Sequence, residues 1–258
     1  MKYAAILLAL TMIGPAQAAD PEFQKIMGCM RASVPLLLRA DNFQIESTDR
    51  SGMTRSLEGK FFAKRDKDRL KVMLRITSPT NVAGASYLVL EGTGTQEDNM
   101  YVFLPAVNRV RHVTGSFANG ALLGTDFSYA EVKQISNAFT AADGKLEGKD
   151  KIEGREANVI SLKPLPGLKS PYSSVKAWVD QQSCFVLKAE FYVGSSVRKR
   201  MTTPSDGIHQ SGKYWYQSEL QMEDLKLGTH TIIKLRGVDS TKQIPTSTFS
   251  TTSFYVGN

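Results

Sequence analysis

Cysteine and histidine are scarce in this chain, which contains two cysteines and three histidines among 258 residues. The separation of Cys29 and Cys184 fits no zinc or redox motif. The histidines, His112, His209 and His230, are far apart in the sequence and fall on predicted strands or loops. Histidines placed in this way are usually ordinary surface or core residues, so we predict that the chain has no metal site.

Signatures of the common catalytic sites are also missing. The sequence contains no Gly-x-Ser-x-Gly elbow, no Walker loop and no His-Glu-x-x-His motif. The acidic pairs Glu97-Asp98 and Glu223-Asp224 fall near predicted turns, where solvated side chains are the usual outcome. Because catalytic triads assemble from distant positions, these absences lower the expectation of catalysis without excluding it. We predict no enzymatic activity, no catalytic residue and no cofactor.

Long apolar runs are absent after the first 18 residues. Lys2 supplies a positive charge, Ala4–Ile13 is apolar, and Ala16-Gln17-Ala18 fits the small-x-small cleavage rule. This run is well short of the roughly 20 residues that a membrane span needs, and the Ala-x-Ala ending disfavours a buried N-terminal helix. We predict a signal peptide over residues 1–18 and one domain over residues 19–258. Since no cysteine adjoins the cleavage site, we expect a protein released into the bacterial periplasm.

The charge balance is modestly basic, with 32 lysines and arginines against 25 acidic residues and a formal net charge of +7. An excess of this size suits anionic membrane surfaces or acidic partners. Nucleic acid would match the sign, but an exported protein rarely meets it, so we expect no nucleic-acid partner.

The two cysteines are an even count in an oxidising compartment, which favours one disulfide between Cys29 and Cys184. Closing so long a loop contributes at most about 4–5 kcal/mol by chain entropy. The alternative is a pair of unpaired buried thiols.

After residue 19 the sequence begins with one helical pattern and continues with patterns of period two. Asp20 suits the N-cap of a helix that we predict over Asp20–Ser33. From Arg69 to Thr77 apolar and polar residues alternate except at Met73, which predicts a strand with one hidden face and one solvated face. Further strands are predicted at Thr54–Arg65, Ser86–Glu91, Met100–Leu104, Arg109–Thr114, Ala157–Leu162, Val175–Asp180, Cys184–Val193, Val197–Thr203, Tyr214–Glu223 and Thr229–Val238.

Short turns between these strands predict an antiparallel meander of about eleven strands. A sheet that wide rarely stays open and flat, so we predict a mainly β protein with a strongly curved sheet. One region interrupts the strands. Phe117–Phe127 is rich in glycine, and Ser128–Ala138 is predicted to form a short helix, with Asp126 or Ser128 as its cap.

Two neighbouring segments carry a recognisable pattern: Tyr101-Val-Phe-Leu-Pro-Ala-Val-Asn-Arg-Val-Arg-His-Val and Gly120-Ala-Leu-Leu-Gly-Thr-Asp-Phe-Ser-Tyr129. An aromatic strand, Leu-Pro, a basic Arg-x-Arg strand and Gly-x-Asp-Phe-x-Tyr follow one another. Together they resemble the outer-membrane lipoprotein-sorting protein family, which is similar to the periplasmic carrier LolA and often accompanies inner-membrane transporters of the MMPL/RND type. The residues that carry the resemblance are Leu104, Pro105, Arg109, Arg111, Gly124, Asp126, Phe127 and Tyr129.

The resemblance implies a strongly curved antiparallel sheet, an unclosed barrel whose concave side is covered by a few helices. It also implies a carrier of lipidated or lipid-like cargo across the periplasm, from an inner-membrane RND/MMPL transporter toward an outer-membrane acceptor. We expect such a carrier to be a monomer with transient membrane contact. Cys29 and Cys184 are not part of the family's general pattern.

The apolar pattern independently favours a binding cavity, because the two predicted helices are too small to cover about eleven strands. Leftover apolar area could hold acyl chains, each buried CH₂ contributing about 0.8 kcal/mol. The residues that we predict to line the concave face are Leu57, Phe61, Leu70, Val72, Leu74, Ile76, Leu88 and Leu90. The alternatives are a filled, non-catalytic β interaction module that modulates a transporter or outer-membrane assembly and, third, an enzyme acting on lipids.

The roles of the motif residues have two interpretations. Asp126 could pair with Arg109 or Arg111 and fix the Gly-rich segment to the sheet. Alternatively, the arginines could hold a lipid headgroup or an acidic partner, since guanidinium binds phosphate and carboxylate in a fork. Phe127 and Tyr129 are predicted to anchor the loop.

Overall fold

The structure is a computed structural model that describes residues 20–33, 35–66, 69–92, 99–114, 119–136, 139, 142–165, 167, 170–212 and 214–256. The predicted signal peptide, residues 1–18, lies outside these residues. Neither helix in the described ranges combines the length and the apolar content needed to cross a bilayer.

Thirteen antiparallel strands form one sheet in the order β6-β5-β4-β3-β2-β1-β15-β14-β11-β10-β9-β8-β7, and β12 and β13 form a separate hairpin. Strands β6 and β7 are the edges of this sheet, which is not closed into a barrel, so the predicted fold class is confirmed. The elements are α1 Pro21–Ser33, β1 Leu37–Thr48, β2 Thr54–Asp66, β3 Arg69–Ser78, β4 Ser86–Leu90, β5 Asn99–Leu104, β6 Arg109–Val113, α2 Tyr129–Ser136, β7 Ala142–Ile152, β8 Arg155–Pro164, β9 Ser174–Asp180, β10 Val186–Val193, β11 Ser196–Thr202, β12 Ile208–Ser211, β13 Tyr214–Gln217, β14 Glu219–Asp224 and β15 Thr229–Asp239.

The sheet is wider than the predicted eleven strands, because β1 lacks a regular alternation in the sequence and β7 alternates charged residues mainly with glycine and alanine. In β1 the pairing with β2 shifts between Ala40 and Phe43, which moves the apolar residues out of phase. Strand β7 is a charged edge strand that carries little apolar surface. The predicted strand Tyr214–Glu223 is two strands, interrupted at Ser218.

Helix α1 covers the half of the sheet that contains β7 to β10. It begins at Pro21, where the Asp20 carboxylate accepts hydrogen bonds from the N–H groups of Glu22 at 3.0 Å and Phe23 at 3.3 Å. Its buried residues, Phe23, Ile26, Met27 and Met30, belong to one apolar cluster with the sheet. We call the side of the sheet that α1 and α2 cover the inner face.

A disulfide joins α1 to the turn between β9 and β10. Cys29 and Cys184 are bonded with a Cα–Cα distance of 5.8 Å, which confirms the predicted pairing. The turn itself is held by Asp180, whose carboxylate accepts bonds from Arg155 and from the Ser183 hydroxyl and N–H. Burial opposes ionisation of Asp180, but these bonds outweigh it and hold the pKa of the carboxyl below its usual value.

The opposite, outer face also carries apolar residues, and two other segments cover them. Ile244, Phe249 and Phe254 of the C-terminal segment form a cluster with residues of β3, β4 and β5. The β12–β13 hairpin contributes to a second cluster, around Trp178 and Leu187. Both faces of the sheet are therefore partly buried.

Candidate functional site

A cavity of about 190 Å³ lies at the inner face of the sheet. Its cover consists of α2 and residues 119–127, the described part of the Gly-rich segment, and Tyr216 of β13 also lines the cavity. Its lining is almost entirely aliphatic and aromatic. The lining residues are Pro35, Leu38, Phe43, Ile45, Phe61, Ala63, Leu70, Val72, Leu74, Leu122, Thr125, Phe127, Val132, Ile135, Phe185, Tyr216, Gln217, Ser218, Glu219, Leu220, Ile233 and Leu235. Such a lining favours apolar ligands.

The floor of the cavity comes from neighbouring strands in register. Phe61 is paired with Leu74, and Ala63 with Val72, so the inward residues of β2 and β3 form one continuous apolar surface. Four of the predicted lining residues, Phe61, Leu70, Val72 and Leu74, line the cavity. Leu57 and Ile76 belong to the same inner cluster beside it. That these side chains contact a ligand stays a prediction.

Leu88 and Leu90 lie on the outer face, so their assignment to the cavity wall is wrong. Leu88 is paired with Met73 and belongs with it to the cluster under the C-terminal segment, against which Leu90 also packs. The inward residues of β4 are Tyr87 and Val89. Strand β4 is apolar at consecutive positions, and a pattern without polar residues does not indicate which set of side chains faces inward.

Within the cover of the cavity, the start of α2 is stabilised by a reciprocal helix cap. The Ser128 N–H donates to the Glu131 carboxylate at 2.6 Å, and the Glu131 N–H donates to the Ser128 hydroxyl at 3.1 Å. This capping box begins α2, so Ser128 and not Asp126 is the cap. Residue 124, one of the family-motif positions, is a glycine with a φ of +74°, in the left-handed region that glycine adopts freely.

Asp126 fixes the Gly-rich segment to β15, so the expected pair with Arg109 or Arg111 is wrong. Its carboxylate accepts hydrogen bonds from the Thr229 hydroxyl and, at 2.7 Å, from the Thr231 hydroxyl. Two cations support the same segment. Arg55 donates to the carbonyl of Gly124 at 3.1 Å, and Lys199 donates to the carbonyl of Asp126 at 2.5 Å. The threonines supply neutral donors, so no arginine is needed to satisfy the carboxylate.

Arg109 and Arg111 lie exposed on the edge strand β6. Leu104 is paired with Arg109 and Val102 with Arg111, which places both arginines on the inner face at the open edge. Among the described residues, neither arginine forms an ion pair. Their contact with a headgroup or an acidic partner stays a prediction.

The remaining motif residues support the sheet edge and the cover. Leu104 packs half-buried against the inner cluster, and Pro105 begins a short 3₁₀ turn. Phe127 is buried and lines the cavity. The Tyr129 ring packs against that of Tyr87 at 5.1 Å, and burial raises the pKa of the Tyr129 hydroxyl.

Sequence reasoning missed a buried polar group that joins α2 to the sheet. Glu131 is 1% exposed, and its carboxylate accepts bonds from the Tyr172 hydroxyl and from Lys199 at 3.0 Å. Burial and then the neighbouring Glu131 charge raise the pKa of Tyr172, so this hydroxyl stays protonated and donates. The Ser-x-x-Glu spacing could have indicated the capping box, but no signal in the sequence pairs Glu131 with residues 41 and 68 positions away.

No group of three or more His, Cys, Asp or Glu side chains is placed to hold a metal ion in the part of the chain that the structure describes. Apart from Thr125, Gln217, Ser218 and Glu219, the residues that line the cavity are apolar, so the cavity is suited to binding an apolar group.

Three solved structures share this fold. A DUF1329 family protein from Desulfovibrio piger is 20% identical, with a TM-score of 0.82, over 90% of this chain and 98% of that one. A domain described as an outer membrane lipoprotein-sorting protein, from Vibrio parahaemolyticus, is 18% identical, with a TM-score of 0.80 and 90% and 97% coverage. A LolA superfamily protein from Nitrosomonas europaea is 17% identical, with a TM-score of 0.67 and 88% and 96% coverage.

No curated protein sequence gives a significant match. A family model whose description reads "uncharacterized protein" matches residues 68–254, which is well over half of the chain. The chain therefore belongs to the family that this model describes, and the three structural neighbours show that it has the LolA-like fold that the resemblance implied.

Proposed function

We propose that this protein is a periplasmic carrier that binds the acyl chain of a lipid or lipoprotein in the inner-face cavity. In this proposal it moves the cargo from an inner-membrane RND/MMPL transporter to an outer-membrane acceptor. The observation that carries the proposal is the apolar cavity itself, which is bounded by β1, β2, β3, β14 and β15 of the sheet and by the Gly-rich segment, α2 and Tyr216 of β13.

The size of the cavity sets what it holds without rearrangement. An apolar cavity of roughly 150 Å³ stays dry and binds a benzene-sized molecule. The 190 Å³ here therefore accommodates a short apolar group or one section of an acyl chain. Pockets for larger ligands have volumes of about 300 Å³ or more, so a complete acyl chain requires side chains or α2 to move aside.

The export signal and the neighbours support the same proposal. Ala16-Gln17-Ala18 predicts cleavage and release into the periplasm. One structural neighbour is described as an outer membrane lipoprotein-sorting protein and another as a LolA superfamily protein. The continuous 13-stranded sheet supports a single domain over residues 19–258.

The test fills the cavity without disturbing the rest of the fold. Ala63 lines the cavity, and the Ala63→Leu variant places extra methyl groups in empty space. We expect binding of a fluorescent fatty-acid probe to fall at least about tenfold, equivalent to about 1.4 kcal/mol. The urea midpoint should stay unchanged or rise, because the added group finds room. Native mass spectrometry of the purified protein should show co-purified lipid.

Leu88→Ala is the matched control, since Leu88 is fully buried on the outer face. It should lower the free energy of unfolding by about 2–5 kcal/mol and leave the probe affinity unchanged. If Ala63→Leu binds the probe like the wild type, or if Leu88→Ala loses binding in proportion to stability, the cavity is not the binding site. A lipid-free mass under gentle conditions would favour the interaction module.

A further inference from the structure

Exposed aliphatic side chains are concentrated on three hairpin turns at one end of the sheet. Met53 in the β1–β2 turn is 64% exposed, and Val193, at the end of β10, is 50% exposed. In the β14–β15 turn Leu225 is 42% exposed and Leu227 54% exposed. We call these four residues the tip surface. Large apolar side chains at adjacent turn positions mark an interaction site more often than single ones do.

The three turns are neighbours in space. Strand β1 pairs with β15, so the β1–β2 and β14–β15 turns lie at the same end of the sheet. A Cβ at Gly228 would be 3.8 Å from the Arg50 side chain, which places the two turns in contact. The Leu225 N–H donates to the Arg198 carbonyl at 3.1 Å, so the third hairpin, β10–β11, adjoins them.

Basic side chains are interleaved with these apolar ones. Arg50, Arg55 and Lys226 are exposed on the same turns or beside them. The acidic residues of the turns are engaged internally. Asp49 accepts bonds from the Ser51 hydroxyl at 2.6 Å and from two backbone N–H groups of its own turn. Asp224 is buried and paired with Arg198. Asp49 is exposed and keeps its negative charge, so the three exposed cations, Arg50, Arg55 and Lys226, outnumber the exposed acidic side chains of these turns.

We propose that the tip surface docks this protein on a membrane that contains anionic lipid. Aliphatic side chains at the tips of separate turns can enter the headgroup region one by one, while the cations beside them meet lipid phosphates. The four apolar side chains come from two separate turns and, for Val193, from the end of a strand, and none of them lines the inner-face cavity. The chain's net charge of +7 has the sign that an anionic surface attracts.

A membrane bound at the tip surface would lie next to the cover of the cavity. Arg55, Thr229 and Thr231, which hold the Gly-rich segment, belong to the same hairpins as the tip surface. The proposal goes beyond cargo binding and does not depend on it, because lipid headgroups and not the cavity are the partner.

The test is co-sedimentation with vesicles of phosphatidylethanolamine and phosphatidylglycerol, compared with vesicles of phosphatidylcholine alone. The wild type should bind the anionic vesicles and lose binding as salt increases. Met53→Ser, Leu225→Ser and Leu227→Ser combined in one variant should reduce vesicle affinity at least about tenfold. Arg50→Gln with Lys226→Gln should weaken binding and flatten its salt dependence.

The matched control is Leu36→Ser with Val256→Ser, since Leu36 and Val256 are 52% and 55% exposed away from the tip surface. This variant should bind vesicles like the wild type, and all variants should keep the wild-type urea midpoint and fatty-acid-probe affinity. Equal vesicle binding by the tip and control variants would overturn the proposal, as would a concentration-dependent dimer that only the tip variant loses. A wild type that binds vesicles but no probe would refute the proposed carrier function and leave the docking proposal standing.

Discussion

Lys199 and Glu131 form the most buried ion pair in the described part of the chain, with side-chain exposures of 13% and 1%. Removing two charges from water is expensive, and the attraction between them offsets this cost only when further hydrogen bonds satisfy both groups. Here the Tyr172 hydroxyl and the Ser128 N–H both donate hydrogen bonds to the Glu131 carboxylate. The Lys199 ammonium also donates to the Asp126 carbonyl. The pair therefore fixes the position of the cavity cover more than it adds stability.

Lys199→Met is expected to destabilise the protein, because it leaves the Glu131 charge buried without a cation. The free energy of unfolding should fall by about 3–5 kcal/mol, measured from urea midpoints. Combining Lys199→Met with Glu131→Gln should recover much of this loss, since both charges are then gone. If the single variant loses less than about 1 kcal/mol, the pair is not the main attachment of α2 to the sheet.

Elements with a strong local signal were predictable from the sequence, and elements defined by their neighbours were not. Helix α1 has a cap and a helical spacing of apolar residues, and β3 has a clear alternation. Strand β1 was missed because its pattern breaks at a bulge, and the inward face of β4 follows only from its pairing with β3. The cavity was predicted at β2 and β3, but its cover depends on Asp126 and Glu131, whose partners are distant in sequence.

The disulfide should contribute to stability by holding α1 on the sheet. Replacing Cys29 and Cys184 together by serine removes the cross-link between two positions that are 155 residues apart in the sequence. The unfolded chain then gains conformational entropy. The urea midpoint should fall by an amount equivalent to at most about 4–5 kcal/mol. Wild-type protein with added reductant should behave like the double variant. Thiol labelling of unfolded, unreduced wild type should give no adduct, and two labelled thiols would show that the bond does not form.

The whole molecule is a sheet with two apolar faces that differ in how they are covered. Structural elements are stable only when their apolar surfaces are buried against a second layer. On the outer face, the C-terminal segment and the β12–β13 hairpin provide that layer by close packing. On the inner face, α1 is close-packed over one half, while the cover over β1, β2 and β3 leaves the cavity. This asymmetry separates residues that stabilise the fold from residues that leave room for cargo.

The C-terminal segment provides a test of this separation. Phe254 is fully buried in the outer-face cluster with Met73, Leu88 and Phe103, and Arg75 donates to the carbonyls of Phe254 and Val256. Phe254→Ala should lower the free energy of unfolding by about 3–5 kcal/mol. The exposed neighbour provides the control, since Val256→Ala should change it by no more than about 0.5 kcal/mol.

Fatty-acid-probe affinity, measured well below the unfolding transition, should be the same in both C-terminal variants as in the wild type. The outer face contributes no side chain to the cavity wall at β3 and β4, since Met73 and Leu88 point away from the inward residues Val72 and Leu74. A loss of affinity in Phe254→Ala, at a temperature where the variant is fully folded, would mean that packing on the outer face controls the cavity. The two faces would then act as one unit, and the stabilising and binding roles of the sheet could not be assigned to separate sides.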